Sequence, residues 1–188
     1  RVTIVQITDV YTLDNFASLK TLLRTMRAAQ GSDEKSNQVV SMLTGDFLSP
    51  YLLSSIDRGA GMMGAIAETP IDILTWGNHE ADIDHKTVCK HVKNYPGIWI
   101  NSNMQDHDAM AYQVPYHIIE VESEDGSHTR KIGLVAVLSN DKKLYSHFKA
   151  PGAFNGARID DPWETLRKYE KFLKEEKGCD MVLPLEHL

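Results

Sequence analysis

Polar residues able to bind a metal ion stand at the ends of four predicted strands. Asp9 and Asp46 each follow a short apolar run, Asn78 and His79 follow a third, and His187 follows the last. Because ligands in open α/β sheets bind beyond the carboxyl ends of the strands, we expect these side chains to meet at one edge. Carboxylate and amide oxygens together with imidazole suit Mn, Fe, Zn and similar divalent ions. The pattern therefore predicts a metal site at this edge.

Two glycines support the same interpretation. Gly45 precedes Asp46 and Gly77 precedes Asn78, and glycine allows the tight turns that bring short side chains close to a shared centre. Taken singly, these residues have ordinary alternatives, since Asp9 could be a turn residue and Gly45-Asp46 is a common turn dipeptide. The polar residues Asn78-His79-Glu80 after the third strand are more specific for a functional site, because polar side chains beside a buried strand are costly without a partner. Order and placement together favour the metal site.

The elements that must position these residues alternate between strands and helices. Apolar, β-branched runs predict strands at Val2–Thr8, Val39–Leu43, Ile71–Thr75, Gly97–Ile100, Tyr116–Glu122, Arg130–Val137 and Cys179–Leu183. Helical periodicity and capping residues predict helices at Asn15–Ala29, Pro50–Asp57, Gly61–Glu68, His85–Lys93 and from Asp161 to about Lys177. Gly31-Ser32-Asp33 is expected to end the first helix, before a polar loop at Asp33–Asn37.

This alternation predicts an α/β fold built of layers. Asp125-Gly126 stands between two strand-like runs and indicates a hairpin in a longer loop. A hairpin adds antiparallel pairing, so we expect a mixed sheet or a second sheet packed against the first.

Composition excludes several classes of protein. The chain has 188 residues, 42% of them hydrophobic, which fits a single domain over residues 1–188 with a sizeable core. A net charge of −6 argues against binding of a nucleic-acid polymer. No apolar run reaches the ~20 residues that a membrane span needs. Cys89 and Cys179 are interpreted as ordinary half-buried thiols, and nothing in the sequence indicates an oligomeric state.

The chain begins with Arg1 and a strand-like run, with no initiator methionine and no signal-peptide pattern. We therefore expect the numbering to begin inside a longer or processed protein. The sequence indicates no particular cellular compartment.

Four short motifs resemble those of calcineurin-like metallophosphoesterases. In chain order they are Asp9-Val10-Tyr11, Gly45-Asp46, Gly77-Asn78-His79-Glu80 and the stretch 180–187 that ends in His187. Three further segments are similar to the 5'-nucleotidase branch, namely Gly45–Pro50, Gly59–Met63 and Asn101-Ser102-Asn103. The resemblance covers nearly the whole chain and implies a layered metallophosphoesterase-type fold with two mixed β-sheets flanked by helices. It also implies a metal-dependent phosphoester hydrolase whose partner is a small molecule, a nucleotide or a related phosphoester.

The resemblance implies a role for each motif residue. Asp9 would bind the first of two divalent ions, Asp46 would bridge both ions, and Asn78 and His187 would bind the second. The ions could be Mn, Zn, Mg, Co or Fe. His79 would bind no metal, but would stabilise the phosphate in the transition state or protonate the leaving oxygen.

Two departures from the family pattern matter. The first motif usually reads Asp-x-His, and Tyr11 stands at the His position. Three outcomes are open for Tyr11: it turns away from the metal, which we favour, it binds trivalent iron as a phenolate, or the first site is empty. A final Gly-His-x-His motif and a separate C-terminal substrate domain are not in the sequence. We expect the missing ligands after Leu188, a fold incomplete at that end, and poor turnover by the 188-residue fragment alone.

Several neighbouring residues have two interpretations. Glu80 could orient a neighbouring ligand as a hydrogen-bond acceptor or be a helix-start carboxylate. Asn101 and Asn103 could contact substrate or be structural. We interpret the residues just beyond the third motif as a solvated turn, namely Asp82, Asp84 and His85. The remaining histidines have no ligand-like context, namely His91, His107, His117, His128 and His147.

Two other function classes are open. A metallophosphoesterase-like domain kept as a binding or scaffold module is supported by Tyr11. The retained Asp46, Asn78, His79 and His187 argue against it, because a scaffold needs no catalytic histidine beside metal ligands. A nucleotide-binding α/β module is disfavoured, since no Gly-rich phosphate loop follows the first strand.

Overall fold

The computed structural model describes residues 1–30 and 35–188. Its strands are β1 (Val2–Ile7), β2 (Gln38–Thr44), β3 (Ile73–Thr75), β4 (Ile98–Ile100), β5 (Met104–Gln105), β6 (His117–Glu122), β7 (Thr129–Leu138), β8 (Arg158–Ile159) and β9 (Met181–His187). Its α-helices are α1 (Phe16–Ala28), α2 (Ser54–Asp57), α3 (Ala60–Glu68), α4 (His85–Asn94) and α5 (Pro162–Glu175). Short 3-10 helices lie at His79–Asp82, Met110–Tyr112 and Ala153–Gly156. None of the helices in the described ranges is long and apolar enough to span a membrane.

The first sheet is parallel and carries most of the motif residues. Its strand order is β1-β2-β3-β4, and each connection between consecutive strands contains at least one helix. Ile7 pairs with Leu43, and Thr44 pairs with Thr75, so β1, β2 and β3 end at nearly the same level. Parallel strands joined by crossover helices have all their carboxyl ends at one edge. The loops after β1, β2 and β3 therefore begin side by side.

The second sheet is mixed and has the order β6-β7-β9. β6 and β7 form an antiparallel hairpin around Asp125, whose carboxylate accepts a hydrogen bond from the backbone N–H of Ser127. β9 returns in parallel beside β7 after α5. The side chain of Asp161 caps α5 by accepting from the backbone N–H of Glu164 at 2.8 Å. A separate two-stranded ladder joins β5 and β8.

The two main sheets pack face to face through one apolar layer. Side chains alternate between the two faces of a strand, and Met42 and Ile73 point from the first sheet toward the second. There they pack with Leu134, Ala136 and Leu185 of β7 and β9. Burial of this layer fixes how β9 lies against the first sheet.

Helices cover the outer faces of both sheets. Leu43 packs in a cluster with residues of α1, α3 and α4, among them Phe16 and Val88. On the other side of the molecule, Val135 packs against Leu173 of α5. The order of layers is therefore helix, sheet, sheet, helix.

The predicted two-sheet α/β fold flanked by helices is confirmed, and mixed pairing is confined to the second sheet. The last strand was expected to end at Leu183, but β9 continues to His187. Pro184 pairs with Val135 inside β9, because on an edge strand a residue without an N–H can remain in the ladder. The helix stop expected at Gly31-Ser32-Asp33 lies outside the described residues.

Candidate metal centre and active site

Three of the predicted ligands converge where β1 and β2 end. Asp9 lies two residues beyond β1, Asp46 lies two residues beyond β2, and His187 is the last residue of β9. One ligand atom of each residue lies within 4.8 Å of one from each of the others. Two carboxylates and one imidazole suit a divalent ion such as Mn, Fe or Zn. The residues present therefore fit a metal centre, and their roles as ligands stay a prediction.

Asp46 stands in the middle of this group and is 3% exposed. Its Oδ1 accepts a hydrogen bond from the backbone N–H of His79 at 2.8 Å, and its Oδ2 lies 3.2 Å from Nε2 of His187. Burial raises the pKa of Asp46, but the hydrogen bonds from His187 and His79 outweigh burial and lower it. Asp46 is therefore a carboxylate with one oxygen fixed by backbone and the other directed at the candidate metal position.

The imidazole of His187 is oriented by backbone. Its Nδ1 lies 2.9 Å from the carbonyl oxygen of Thr44, and since a carbonyl can only accept, Nδ1 carries a hydrogen. Nε2 is left to face Asp46, which is the usual arrangement of a metal-binding histidine. Burial lowers the pKa of His187, but hydrogen bonds to Asp46 and Thr44 raise it to about 9. In the metal-free chain a proton thus lies between His187 and Asp46.

Tyr11 points into the group. Its hydroxyl oxygen lies 3.0 Å from Oδ1 of Asp9 and 3.1 Å from Oδ2 of Asp46. Burial and the two carboxylates raise the pKa of the Tyr11 phenol, so Tyr11 is a neutral donor. The favoured expectation that Tyr11 turns away differs from this structure, because two neighbouring carboxylates attract the nearest available hydroxyl.

The backbones after β2 and β3 approach each other closely. A Cβ on Gly77 would lie 2.2 Å from Oδ1 and 2.3 Å from the backbone N of Asp46. A Cβ on Gly45 would lie 2.6 Å from Cα of Gly77 and 2.7 Å from Nδ1 of His187. The prediction that these glycines permit a close approach is therefore confirmed. Asp9 and Asp46 have positive φ angles of 54° and 55°, a conformation often found where function requires it.

Glu80 holds these two loops together. It is fully buried, and its Oε2 accepts from the backbone N–H groups of Gly77 at 2.7 Å and Asp46 at 2.9 Å. Its Oε1 accepts from Phe47 at 2.8 Å and Leu48 at 3.0 Å. Of the two interpretations of Glu80, the acceptor that orients a neighbouring ligand fits these contacts.

The side chain of His79 contacts a neighbouring acid, while its backbone N–H bonds Asp46. Its Nδ1 lies 2.7 Å from Oδ2 of Asp82, and Ser49 donates to the same oxygen at 3.1 Å. Asp82 is exposed, as the interpretation of a solvated turn expected, but its contact with His79 was not predicted. The missed signal is local, because Asp82 lies three positions after His79 in a short helix and side chains at that spacing are neighbours.

The three asparagines differ in their surroundings. Asn78 lies between Gly77 and His79, next to the loop crossing, and its role as a ligand stays a prediction. The Asn101 side chain bonds both the N–H and the carbonyl of Met104. Asn103 is 1% exposed and bonds the backbone of Leu138 through both its amide oxygen and nitrogen. The structural interpretation therefore accounts for Asn101 and Asn103.

Comparison with known proteins identifies the fold. Neither a family model nor a curated protein sequence matches the chain. The NAD nucleotidase of Haemophilus influenzae matches with a TM-score of 0.78 at 17% identity, over 99% of this chain and 34% of that chain. The 5'-nucleotidase precursor of Thermus thermophilus matches with a TM-score of 0.73 at 16% identity, over 100% of this chain and 37% of that chain. A calcineurin-like phosphoesterase of Bacillus subtilis matches with a TM-score of 0.66 at 18% identity, over 99% of this chain and 61% of that chain.

The chain therefore has the metallophosphoesterase-type fold that these structures share. It spans 34% of the length of the NAD nucleotidase and 37% of the length of the 5'-nucleotidase precursor.

The loop crossing generates a prediction about stability. Gly77→Ala should lower the free energy of unfolding by at least ~1–3 kcal/mol, because the new methyl group collides with backbone that Glu80 holds in place. Gly64→Ala in α3 is the matched control, since a Cβ there meets nothing within 4 Å. It should be neutral or stabilising by up to ~1 kcal/mol. Urea unfolding measures the free energy of unfolding of both variants. Equal changes in that free energy would contradict the close approach of the loops after β2 and β3.

The Tyr11 contacts generate a second prediction. Tyr11→Phe should destabilise the metal-free protein, because Asp9 and Asp46 lose a shared donor. It should also strengthen Mn²⁺ binding, because no hydroxyl then has to be displaced. Thermal unfolding with chelator and with Mn²⁺ measures both effects. Tyr112→Phe, at a half-exposed tyrosine, is the control and should change neither.

Iron distinguishes the phenolate alternative. The iron-loaded protein should show no visible charge-transfer band, because the ion takes the place of the Tyr11 hydroxyl between Asp9 and Asp46. A band present in the wild type and lost in Tyr11→Phe would establish phenolate ligation and contradict this expectation.

Proposed function

We propose that this chain forms the metal-binding part of a hydrolase that acts on nucleotides or related small phosphoesters. The observation that carries the proposal is the convergence of Asp9, Asp46 and His187 on the same edge as the His79–Asp82 pair. The shared fold with a NAD nucleotidase and a 5'-nucleotidase supports it. Two divalent ions, when bound, would polarise the phosphoryl group and activate a water molecule near neutral pH.

The carboxylate ligands have distinct tasks in this proposal. Asp46 suits the bridging position because its Oδ2 faces both Nε2 of His187 and the Tyr11 hydroxyl that contacts Asp9. Asp9 would hold the first ion and His187 the second, with Nε2 of His187 already directed at Asp46 by the Nδ1 bond to Thr44. Asn78 would add a neutral oxygen ligand, so the second position gains a ligand without further negative charge.

His79 is the group that would meet the substrate. Because Asp82 engages Nδ1, Nε2 is the nitrogen left for a phosphoryl or leaving oxygen. The side chain is 37% exposed, so a ligand can reach it. When protonated, His79 can donate to the charge that develops on the phosphate or pass its proton to the leaving oxygen. Asp82 orients the ring through Nδ1 and is a positioning residue.

The metal centre also offsets the charge of the protein. The chain has a net charge of −6, and Asp9 and Asp46 add to the negative potential of the site. A phosphoester would be repelled by that potential unless cations were bound. Bound ions are the largest local charges in such sites and reverse the sign of the field. Metal occupancy and substrate binding should therefore be coupled.

A second candidate function is a binding or scaffold module with weakened catalysis. The observation in its favour is the Tyr11 hydroxyl, which lies between the two carboxylates that would hold the first ion. A scaffold would bind a phosphoester without turning it over. Measured turnover by the full-length protein therefore separates the two candidates.

His79→Ala should lower kcat of the full-length protein by on the order of 10²–10³-fold. Metal content should stay at the wild-type level, because His79 contacts Asp82 and not the metal position. Hydrolysis of p-nitrophenyl phosphate and a panel of nucleotides, with Mn, Mg, Zn, Co or Fe, measures activity, and elemental analysis measures the metal. His128→Ala, at an exposed hairpin histidine, is the matched control and should keep full activity.

Asp82→Asn tests the positioning role. It should lower kcat less than His79→Ala does, because the amide oxygen of asparagine still accepts from Nδ1, and it should shift the pH profile, because a carboxylate beside the ring is replaced by a neutral amide. Metal loss equal to activity loss in His79→Ala would show that the assigned role is wrong.

A further inference from the structure

His85, Cys89 and His107 form a second group of potential metal ligands. His85 begins α4, and Cys89 lies one turn later on the same helix face. His107 belongs to the loop between β5 and the next 3-10 helix. One ligand atom of each lies within 4.8 Å of one from each of the others. The group shares no residue with Asp9, Asp46 and His187.

The ring of His85 has a free nitrogen directed into protein. Its Nε2 lies 2.8 Å from Oδ2 of Asp108, and since a carboxylate accepts, Nε2 carries the hydrogen. In the neutral ring Nδ1 then presents a lone pair, and this atom is buried without a hydrogen-bond partner in the described ranges. A carboxylate behind a histidine is the arrangement that orients metal-binding imidazoles.

His107 has a second orphaned nitrogen. The residue is 3% exposed, and its Nε2 is buried without a partner among residues 1–30 and 35–188. Its Nδ1 accepts a long hydrogen bond of 3.2 Å from the backbone N–H of Ala109. Burial and then the neighbouring His85 lower the pKa of His107 to about 4, so the ring is neutral. Orphaned buried polar atoms are uncommon in native proteins and call for an explanation.

Aromatic packing alone explains the cluster less well. The His85 and His107 rings meet edge to face at 4.9 Å, and His107 also packs against Trp76 at 5.0 Å. These contacts account for the positions of the rings. They leave Nδ1 of His85 and Nε2 of His107 unpaired in the described ranges. The Cys89 sulfur, 3.5 Å from Nε2 of His85, lies near enough to these rings to share an ion with them after a small movement.

We propose that His85, Cys89 and His107 bind one Zn²⁺, or a similar ion of borderline softness, as a structural site. A thiolate with two imidazoles selects Zn, Co, Ni or Cu over Mg and Ca. The ion would tie the start of α4 to the loop after β5, close behind the segment that carries His79. Asp108 positions His85, and water or a further side chain completes the coordination.

The rearrangement required is small. Tetrahedral Zn²⁺ with bonds of ~2.0–2.3 Å needs ligand atoms roughly 3.3–3.8 Å apart, so the side chains must approach by about 1 Å from separations of up to 4.8 Å. Binding through Nε2 of His107 would move its hydrogen to Nδ1 and give up the long Ala109 contact. The Cys89 thiol would release its proton to solvent and bind as thiolate. Structural zinc binding is far stronger than one such hydrogen bond.

The sequence interpretation missed this group. His107 was assigned no ligand-like context and His85 a place in a solvated turn, whereas the structure brings both close to Cys89. His85 and Cys89 have helical spacing, but His107 lies in a loop that only the packing around Trp76 brings to α4.

Cobalt substitution tests the site, because only a thiolate ligand produces a sulfur-to-cobalt charge-transfer band in the near ultraviolet. Metal-stripped full-length protein should develop this band with Co²⁺, reach a limiting intensity that corresponds to one thiolate-bound Co²⁺ per chain, and lose the band when Zn²⁺ is added. Cys89→Ser should abolish the band. Cys179→Ala is the matched control, since Cys179 is a buried thiol packed near α5, and it should keep the band.

Further variants separate this site from the proposed active site. His187→Ala should keep the band, because the Asp9–Asp46–His187 group contains no thiol. Asp108→Asn should weaken Co²⁺ binding by about 10–100-fold while the band stays in place. Zn²⁺ should raise the Tm of the wild type by more than it raises the Tm of His107→Gln, a comparison that holds even if Cys89→Ser fails to fold. Absence of the band in folded wild type, its persistence in Cys89→Ser, or an equal rise in Tm in wild type and His107→Gln would overturn the site.

Discussion

The buried carboxylate of Glu80 is the constraint on which the candidate site depends. It accepts four backbone hydrogen bonds, from Gly77, Asp46, Phe47 and Leu48. Burial of a charged group without such partners is costly, so the loops after β2 and β3 must fold around it. The contact brings two backbones close enough that a Cβ at Gly77 would collide with Asp46. The direction of the Asp46 side chain follows from this arrangement.

Packing between the two sheets supplies the remaining ligand. Leu183, Leu185 and His187 alternate along β9, so all three point toward the first sheet. Leu185 is buried in the layer between the sheets, and His187, one step further, reaches the Thr44 carbonyl and Asp46. A register shift of one residue would turn His187 to the opposite face. The apolar layer therefore determines the geometry of a polar site.

Charge balance explains the orientation of Tyr11. Asp9 and Asp46 are like charges at short range, which is unfavourable without neighbouring donors. In the metal-free chain the Tyr11 hydroxyl and protonated His187 provide that compensation. A divalent ion would take over the same task. An ion bound by Asp9 and Asp46 would therefore compete with the Tyr11 hydroxyl for the same carboxylate oxygens.

The sequence by itself determined the elements and the residues at their ends. Strand and helix types follow from local periodicity, and parallel strands joined by helices necessarily end at one edge. That rule placed Asp9 and Asp46 together. His187 was expected at the same edge as a residue after the last strand, whereas β9 continues to it. The Asp82 contact of His79 was also within reach of the sequence, because its spacing is that of one helical turn.

Tertiary structure alone decided the contacts between loops that are distant along the chain. The donors around Glu80, the direction of Tyr11 and the backbone bonds of Asn103 depend on how loops cross above the sheet, which no periodicity encodes. The same holds for His107 beside His85 and Cys89. Side-chain type limits what a residue can bind, but which partners it meets depends on the packing of the two sheets and their helices, since burial of apolar surface sets those positions.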